Sequence, residues 1–173
     1  NEHQLMIGET TMDGREECVN ETGWFMIEQL EVFALQRAKT AREAIKIMGA
    51  LAEPYGYGDY GEALTLADKE EAWLFESVGP GPLWKPGSGK PGAHWVAVRV
   101  PDDCVTVSTN TSRIGEVNPA DPDRFMASTN LTDFAKEQGW WKPGTSFSFK
   151  KAYGENPYPR LFDQKRRLWR VYS

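Results

Sequence analysis

Cysteine and histidine are scarce: the chain holds two of each, Cys18 and Cys104, His3 and His94. Neither pair shows a C-x-x-C or H-x-x-x-H spacing, so no structural zinc is legible, and no metal or cofactor is expected. A single Cys18–Cys104 disulfide stays open. A Cys104–His94 dyad is conceivable on one hairpin, yet each residue reads more simply as part of a strand. Cys18 lies beside Arg15 but also beside Glu16 and Glu17, whose charges raise a thiol pKa. No apolar run approaches the roughly 18 residues needed to cross a bilayer, so no membrane partner is expected. Basic charge is short as well. The net charge is −5, and Lys/Arg mix with aromatics only near the C-terminus, which argues against nucleic acid. There is no G-x-S-x-G elbow and no Gly-rich phosphate loop ahead of a helix.

What is present suits one globular domain, residues 1–173, with 40% hydrophobic and 26% charged residues. The chain begins at Asn1 rather than Met, as in a processed chain or one that starts within a domain. The leader that would distinguish a cytoplasmic from an exported protein is therefore not legible.

The most informative stretch runs from His94 to Asn118. Trp95, Ala97 and Arg99 alternate with Val96, Val98 and Val100, and Val105, Val107 and Thr109 alternate with Thr106 and Ser108. That period of two predicts strands. Pro101-Asp102-Asp103 between them predicts a turn, so the stretch reads as a β-hairpin whose second strand ends at Asn110. A polar residue at a strand end is placed to aim a rigid amide into a site.

In chain order, residues 4–9 predict a strand and residues 10–23 a polar loop. A helix from Met26 collects Ile27, Leu30, Ala34, Leu35 and Ala38 on one face. Thr40 to Glu43 forms a capping box for a second helix burying Ala41, Ala44, Ile45, Met48 and Ala52. Pro54 and the Gly/Tyr-rich residues 55–61 end it. Ala63–Ala67 and Ala72–Glu76 flank Asp68-Lys69-Glu70 as a hairpin. Residues 77–92 form a long Gly/Pro-rich loop, either functional or a surface insertion. Further on, Asp121-Pro122-Asp123 predicts a turn, Leu131, Phe134 and Ala135 a short helix ended by Gly139, and Phe147, Phe149 and Tyr153 an edge strand. The basic, aromatic Asp163–Ser173 reads as a solvated helix or strand face, with the alternative that one arginine turns inward. The fold class is α+β, with at least five strands in hairpins and an αα-hairpin covering one sheet face.

Five blocks go further: residues 1–11 (NEHQLMIGETT), 34–45, 61–76, 94–110 and the terminal RRLWRVYS. Together they resemble the dipeptidase family of the N-terminal-nucleophile cysteine hydrolases, related to penicillin V acylase and bile-salt hydrolase. The resemblance implies a four-layer αββα sandwich with antiparallel sheets. It also implies an N-terminal cysteine whose α-amine, with a pKa near 8, serves as its base. Such an enzyme cleaves dipeptides or small amides through an acyl-enzyme and displays no triad motif. Asn1 matches the family's oxyanion-hole asparagine, a donor worth roughly 3 kcal/mol. Asn110 matches a second active-site asparagine. Arg167, or alternatively Arg170, matches a late arginine near the cysteine. Arg113 either forms a structural ion pair, the simpler reading, or meets a substrate carboxylate as a bidentate fork.

The nucleophile is expected upstream of Asn1. The chain then reads as an internal fragment that supplies oxyanion and pocket residues to the rest of the protein or a companion chain and is inactive alone. Homo-oligomerisation stays open. This reading expects Asn1 and Asn110 to lie close together near a cleft. The alternative is a non-catalytic binding or scaffold module that uses residues 77–95, with Trp84 and Trp95, as its surface. Three glycosylation acceptor patterns begin at Asn20, Asn110 and Asn130.

Overall fold

The structure, a computed structural model, describes residues 1–12, 14–154 and 161–173. Five antiparallel strands form one sheet with neighbours in chain order: β1 (Met6–Thr11), β2 (Glu62–Ala67), β3 (Ala72–Val78), β4 (His94–Arg99) and β5 (Phe125–Ala127). The fold class is α+β, one antiparallel sheet with helices packed on it, consistent with the expected sandwich. Thr10 and Thr11 extend β1 beyond the expected strand.

The αα-hairpin is α1 (Ile27–Arg37) and α2 (Ala41–Tyr55). Thr40 accepts the first-turn Glu43 N–H at 3.2 Å, and the Glu43 carboxylate reaches back to accept the N–H of Lys39, just before the cap, at 2.8 Å. Asp68 couples this helix to the sheet. It accepts Ala41 N–H at 2.7 Å while holding its own turn through Glu70 and Glu71 N–H. Burial opposes ionisation of Asp68, but these bonds and the Arg42 charge win and hold its pKa low. Gly49 lets α2 approach β4, since a Cβ there would run into the Trp95 ring.

Both faces of the central strands β2, β3 and β4 are buried. Leu64, Leu66, Trp73, Phe75, Trp95 and Ala97 meet the helices. Ala63, Leu74, Val78 and Val96 meet a second core built from Ile114, Val117, Phe147, Phe149 and Tyr153. That core also takes Leu131 and Ala135 of α3 (Leu131–Glu137), the expected short helix.

Three expectations need correction. Residues 105–110 are not a strand. β4 already pairs with β3 on one edge and β5 on the other, so no ladder remains for them, and Val105 is 68% exposed. Residues 147–153 are not an edge strand either. Phe149–Ala152 forms α4, started by Ser148, whose hydroxyl accepts the Lys151 N–H, and Phe149 stacks on the following Tyr153 at 5.0 Å. Trp84 and Trp95 do not form a binding surface. Both are 6% exposed, and their indole N–H groups donate to Lys90 O and to the Glu53 carboxylate. The C-terminal segment is a helix, α5 (Leu161–Tyr172); the side chains of residues 161–165 lie outside the described set.

Candidate functional site

After Arg99 the chain turns at Pro101 and crosses the sheet face opposite the αα-hairpin. Ser108 Oγ lies 2.9 Å from Thr65 Oγ1 of β2. Thr111 N–H donates to Thr109 O at 2.6 Å and closes a tight turn around Asn110. The Asn110 amide is then fixed at both ends. Its Nδ2 donates to Thr11 O at 2.8 Å, and its Oδ1 accepts from Arg167 Nη2 at 2.8 Å. Of the alternatives open for the C-terminal segment, an exposed helical arginine does turn back, but onto an amide rather than a carboxylate.

Arg113 follows on the same loop. Its guanidinium sits 5.7 Å from the Tyr172 ring centroid and donates to Tyr172 Oη at 3.4 Å. Its Nε is shielded from solvent and has no hydrogen-bond partner among the described residues. The loop therefore brings an oriented amide and the Arg113 guanidinium against α5, which supplies a second guanidinium from Arg167. Such a cluster suits a small anionic or carboxylate-bearing ligand, because guanidinium forks match carboxylates bidentately.

Asn1 is elsewhere. Its Nδ2 donates to Leu35 O and Ala38 O, both at 2.9 Å, and its Oδ1 accepts from His3 N and Leu5 N. It thus caps orphan carbonyls at the end of α1. Asn1 stands at the Met6 end of β1 and Asn110 at the Thr11 end, with roughly 17 Å of strand between them. The structure does not bring the two asparagines together.

The thiols are free, Cys18 buried and Cys104 exposed. Burial first, and the Glu17 charge second, push Cys18 up to about 12. The hydrogen bond to Asp103 raises Cys104. Neither is primed as a nucleophile. His94 is buried and stacks on Phe134 at a centroid distance of 4.0 Å; burial lowers its pKa to about 4, opposed by Asn130. It is not paired with Cys104. Of the glycosylation patterns, Asn20 is buried with its amide spent on Gly81 O and Trp84 O.

Two buried carboxylates escaped sequence reasoning. Glu76 of β3 is 1% exposed. It accepts Ser112 Oγ at 2.6 Å and the N–H groups of Arg113 and Ile114 at 2.5 and 3.1 Å. Glu62 of β2 is 4% exposed; burial and the neighbouring Glu9 carboxyl raise it to about 9. The signal for Glu76 was its place in a strand that is otherwise nearly all apolar, where a charge has to be paired.

A family model described as peptidase family C69 matches residues 1–173. A probable dipeptidase of Salmonella dublin is 33% identical over 143 residues, covering 78% of this chain and 30% of that protein. A probable dipeptidase of Latilactobacillus sakei is 29% identical over 130 residues, 75% of this chain and 25% of its own length. Probable dipeptidase B of Lactococcus lactis is 37% identical over 105 residues, 60% of this chain and 19% of its own length. The chain thus spans less than a third of these relatives.

Proposed function

The chain belongs to peptidase family C69, and from that premise we propose that it is part of a dipeptidase that cleaves dipeptides or small amides. The reaction proposed is attack by a cysteine thiol on the amide carbonyl, with its proton passing through a base to the departing amine as the C–N bond breaks; water then hydrolyses the acyl-enzyme, which releases the acid and restores the thiol. The nucleophile comes from the remaining part of the protein or a companion chain, because neither thiol here sits in a pKa-lowering environment.

The observation that carries this reading is the Asn110 amide held between Thr11 O and Arg167, with Arg113 three residues on. An amide locked in this way costs no reorganisation when charge develops on the scissile carbonyl. Arg167 keeps the amide oriented through its Oδ1. Arg113, whose Nε has no partner among the described residues, takes a substrate carboxylate. Asn1 has no part in this reading, because its amide is spent on the Leu35 and Ala38 carbonyls at the far end of β1 from Asn110.

The test uses the whole natural protein. Dipeptide hydrolysis should be abolished by thiol alkylation, and Asn110→Ala should lower kcat on the order of a hundredfold. Hydrolysis that survives alkylation, or that is indifferent to Asn110→Ala, refutes the proposal.

A further inference from the structure

We infer that Glu76 is a positioning residue of this site: its carboxylate clamps residues 112–114 and thereby aims Asn110 and Arg113 together. The roles of those two side chains rest on the functional reading above; the clamp itself rests on geometry.

Along β3, Trp73 and Phe75 face the αα-hairpin, so Glu76 faces the second core with Leu74 and Val78. Its same-face neighbours are apolar, and a buried carboxylate there is costly unless fully bonded. Burial pushes Glu76 above the usual carboxylate range, while Ser112, Arg113 N–H, Ile114 N–H and the Lys150 charge pull it back. All three hydrogen bonds go to one segment, residues 112–114. None goes to the neighbouring strands of the sheet.

The clamp holds one side of a short loop. Ser108, bonded to Thr65, holds the other. Between these anchors Asn110 sits in the tight turn closed by Thr111 N–H and Thr109 O. Gly154 backs the loop closely, since a Cβ there would overlap Ser112. Asn110 and Arg113 then both leave toward α5, to Arg167 and Tyr172. One carboxylate thus fixes an amide and a guanidinium at once.

The test compares wild type, Glu76→Gln and Ser112→Ala in the whole natural protein, with Glu76→Asp as the charge-conserving variant. Glutamine keeps the volume but not the charge, and each charge-assisted bond lost is worth roughly tenfold in a local equilibrium. Glu76→Gln should lower kcat and raise KM together, each about tenfold, because Asn110 serves the reacting carbonyl and Arg113 the substrate carboxylate. Ser112→Ala, which loses one bond of the three, should move both in the same direction by less. Glu76→Asp should recover part of the loss. Amide exchange at Arg113 and Ile114 should speed up at least tenfold while β2–β3 amides stay unchanged. Should Glu76→Gln not fold, Ser112→Ala carries the comparison. Wild-type kcat and KM in a folded Glu76→Gln protein overturn the inference. So does exchange that rises equally in loop and strands, the mark of a merely structural carboxylate. A wild-type protein that cleaves no dipeptide sinks the functional reading instead, and the local exchange pattern then decides the clamp alone.

Discussion

Replacing Glu62 with glutamine tests the electrostatics of the β1–β2 edge. Glu62 lies diagonally across from Glu9 on the same sheet face. Burial, then the Glu9 carboxyl, then the Asp59 charge raise it to about 9 against a hydrogen bond from Thr11. The surroundings offer little relief. Tyr57 Oη and one oxygen each of Glu31 and Glu62 are buried without a partner among the described residues, and burial together with the Glu9 and Glu28 charges raises Glu31. From 4.5 to about 9 the folded chain keeps a proton that the unfolded chain releases. Stability therefore falls as pH rises through that window, by at most about 1.4 kcal/mol per pH unit, and levels off above it. At pH 7 the accumulated loss is about 3 kcal/mol as a ceiling. Glutamine is neutral throughout and offers an N–H to Glu9. Glu62→Gln should raise Tm at pH 7 by roughly 5–10 °C and flatten the decline between pH 5 and 9. Urea unfolding of both proteins at pH 5, 7 and 8.5 measures this. A variant less stable at pH 8.5, or a pH slope equal to wild type, refutes the reasoning.

Other outcomes follow from the same geometry. His94, lowered to about 4 by burial, contributes stability that is complete above its ordinary 6.5 and lost as pH falls toward 4. His94→Phe keeps the stack on Phe134 and should flatten that acid limb in denaturant titrations from pH 7 to 4. Glu71 receives Arg42 at 2.6 Å and Arg99 at 2.9 Å. Glu71→Gln should cost about 1–2 kcal/mol through the half-buried Arg42 arm, seen as a lower urea midpoint at unchanged m. Gly49→Ala drives a methyl into the Trp95 ring and should cost about 1–3 kcal/mol, with Trp95 reporting the shift in its emission.

The elements legible in the sequence are those whose cause is local. The faces of α1 and α2 follow from spacing, and the Thr40 cap and the Asp68 turn are bonded within a few residues of where they stand. Residues 105–110 carry the same alternation as β4 yet form no ladder, because strand pairing depends on a free edge elsewhere. That edge is taken by β5, whose three residues are too short to announce themselves. Phe147 to Tyr153 misled for a related reason: aromatics spaced by two and by four fit either period until a cap, here Ser148 with Lys151 N–H, chooses the helix.

The site divides along the same line. Asn110 and Arg167 are 57 residues apart, and no periodicity links them; a family resemblance singled both out, and the structure joins them. The same resemblance singled out Asn1, whose amide instead closes the end of α1. A motif identifies a residue type at a place in the chain, whereas the partner of an amide is set by which orphan donors and acceptors lie within about 3 Å. For Asn1 these are helix carbonyls, and for Asn110 a strand carbonyl and a guanidinium. Glu76 stayed hidden because its partners are backbone N–H groups, which every residue carries and no sequence pattern marks. Its three bonds nonetheless join the Ser108 and Asn110 contacts in tying the sheet to the loop that bears Asn110 and Arg113. The control of this site therefore runs through a strand residue that never needs to touch substrate.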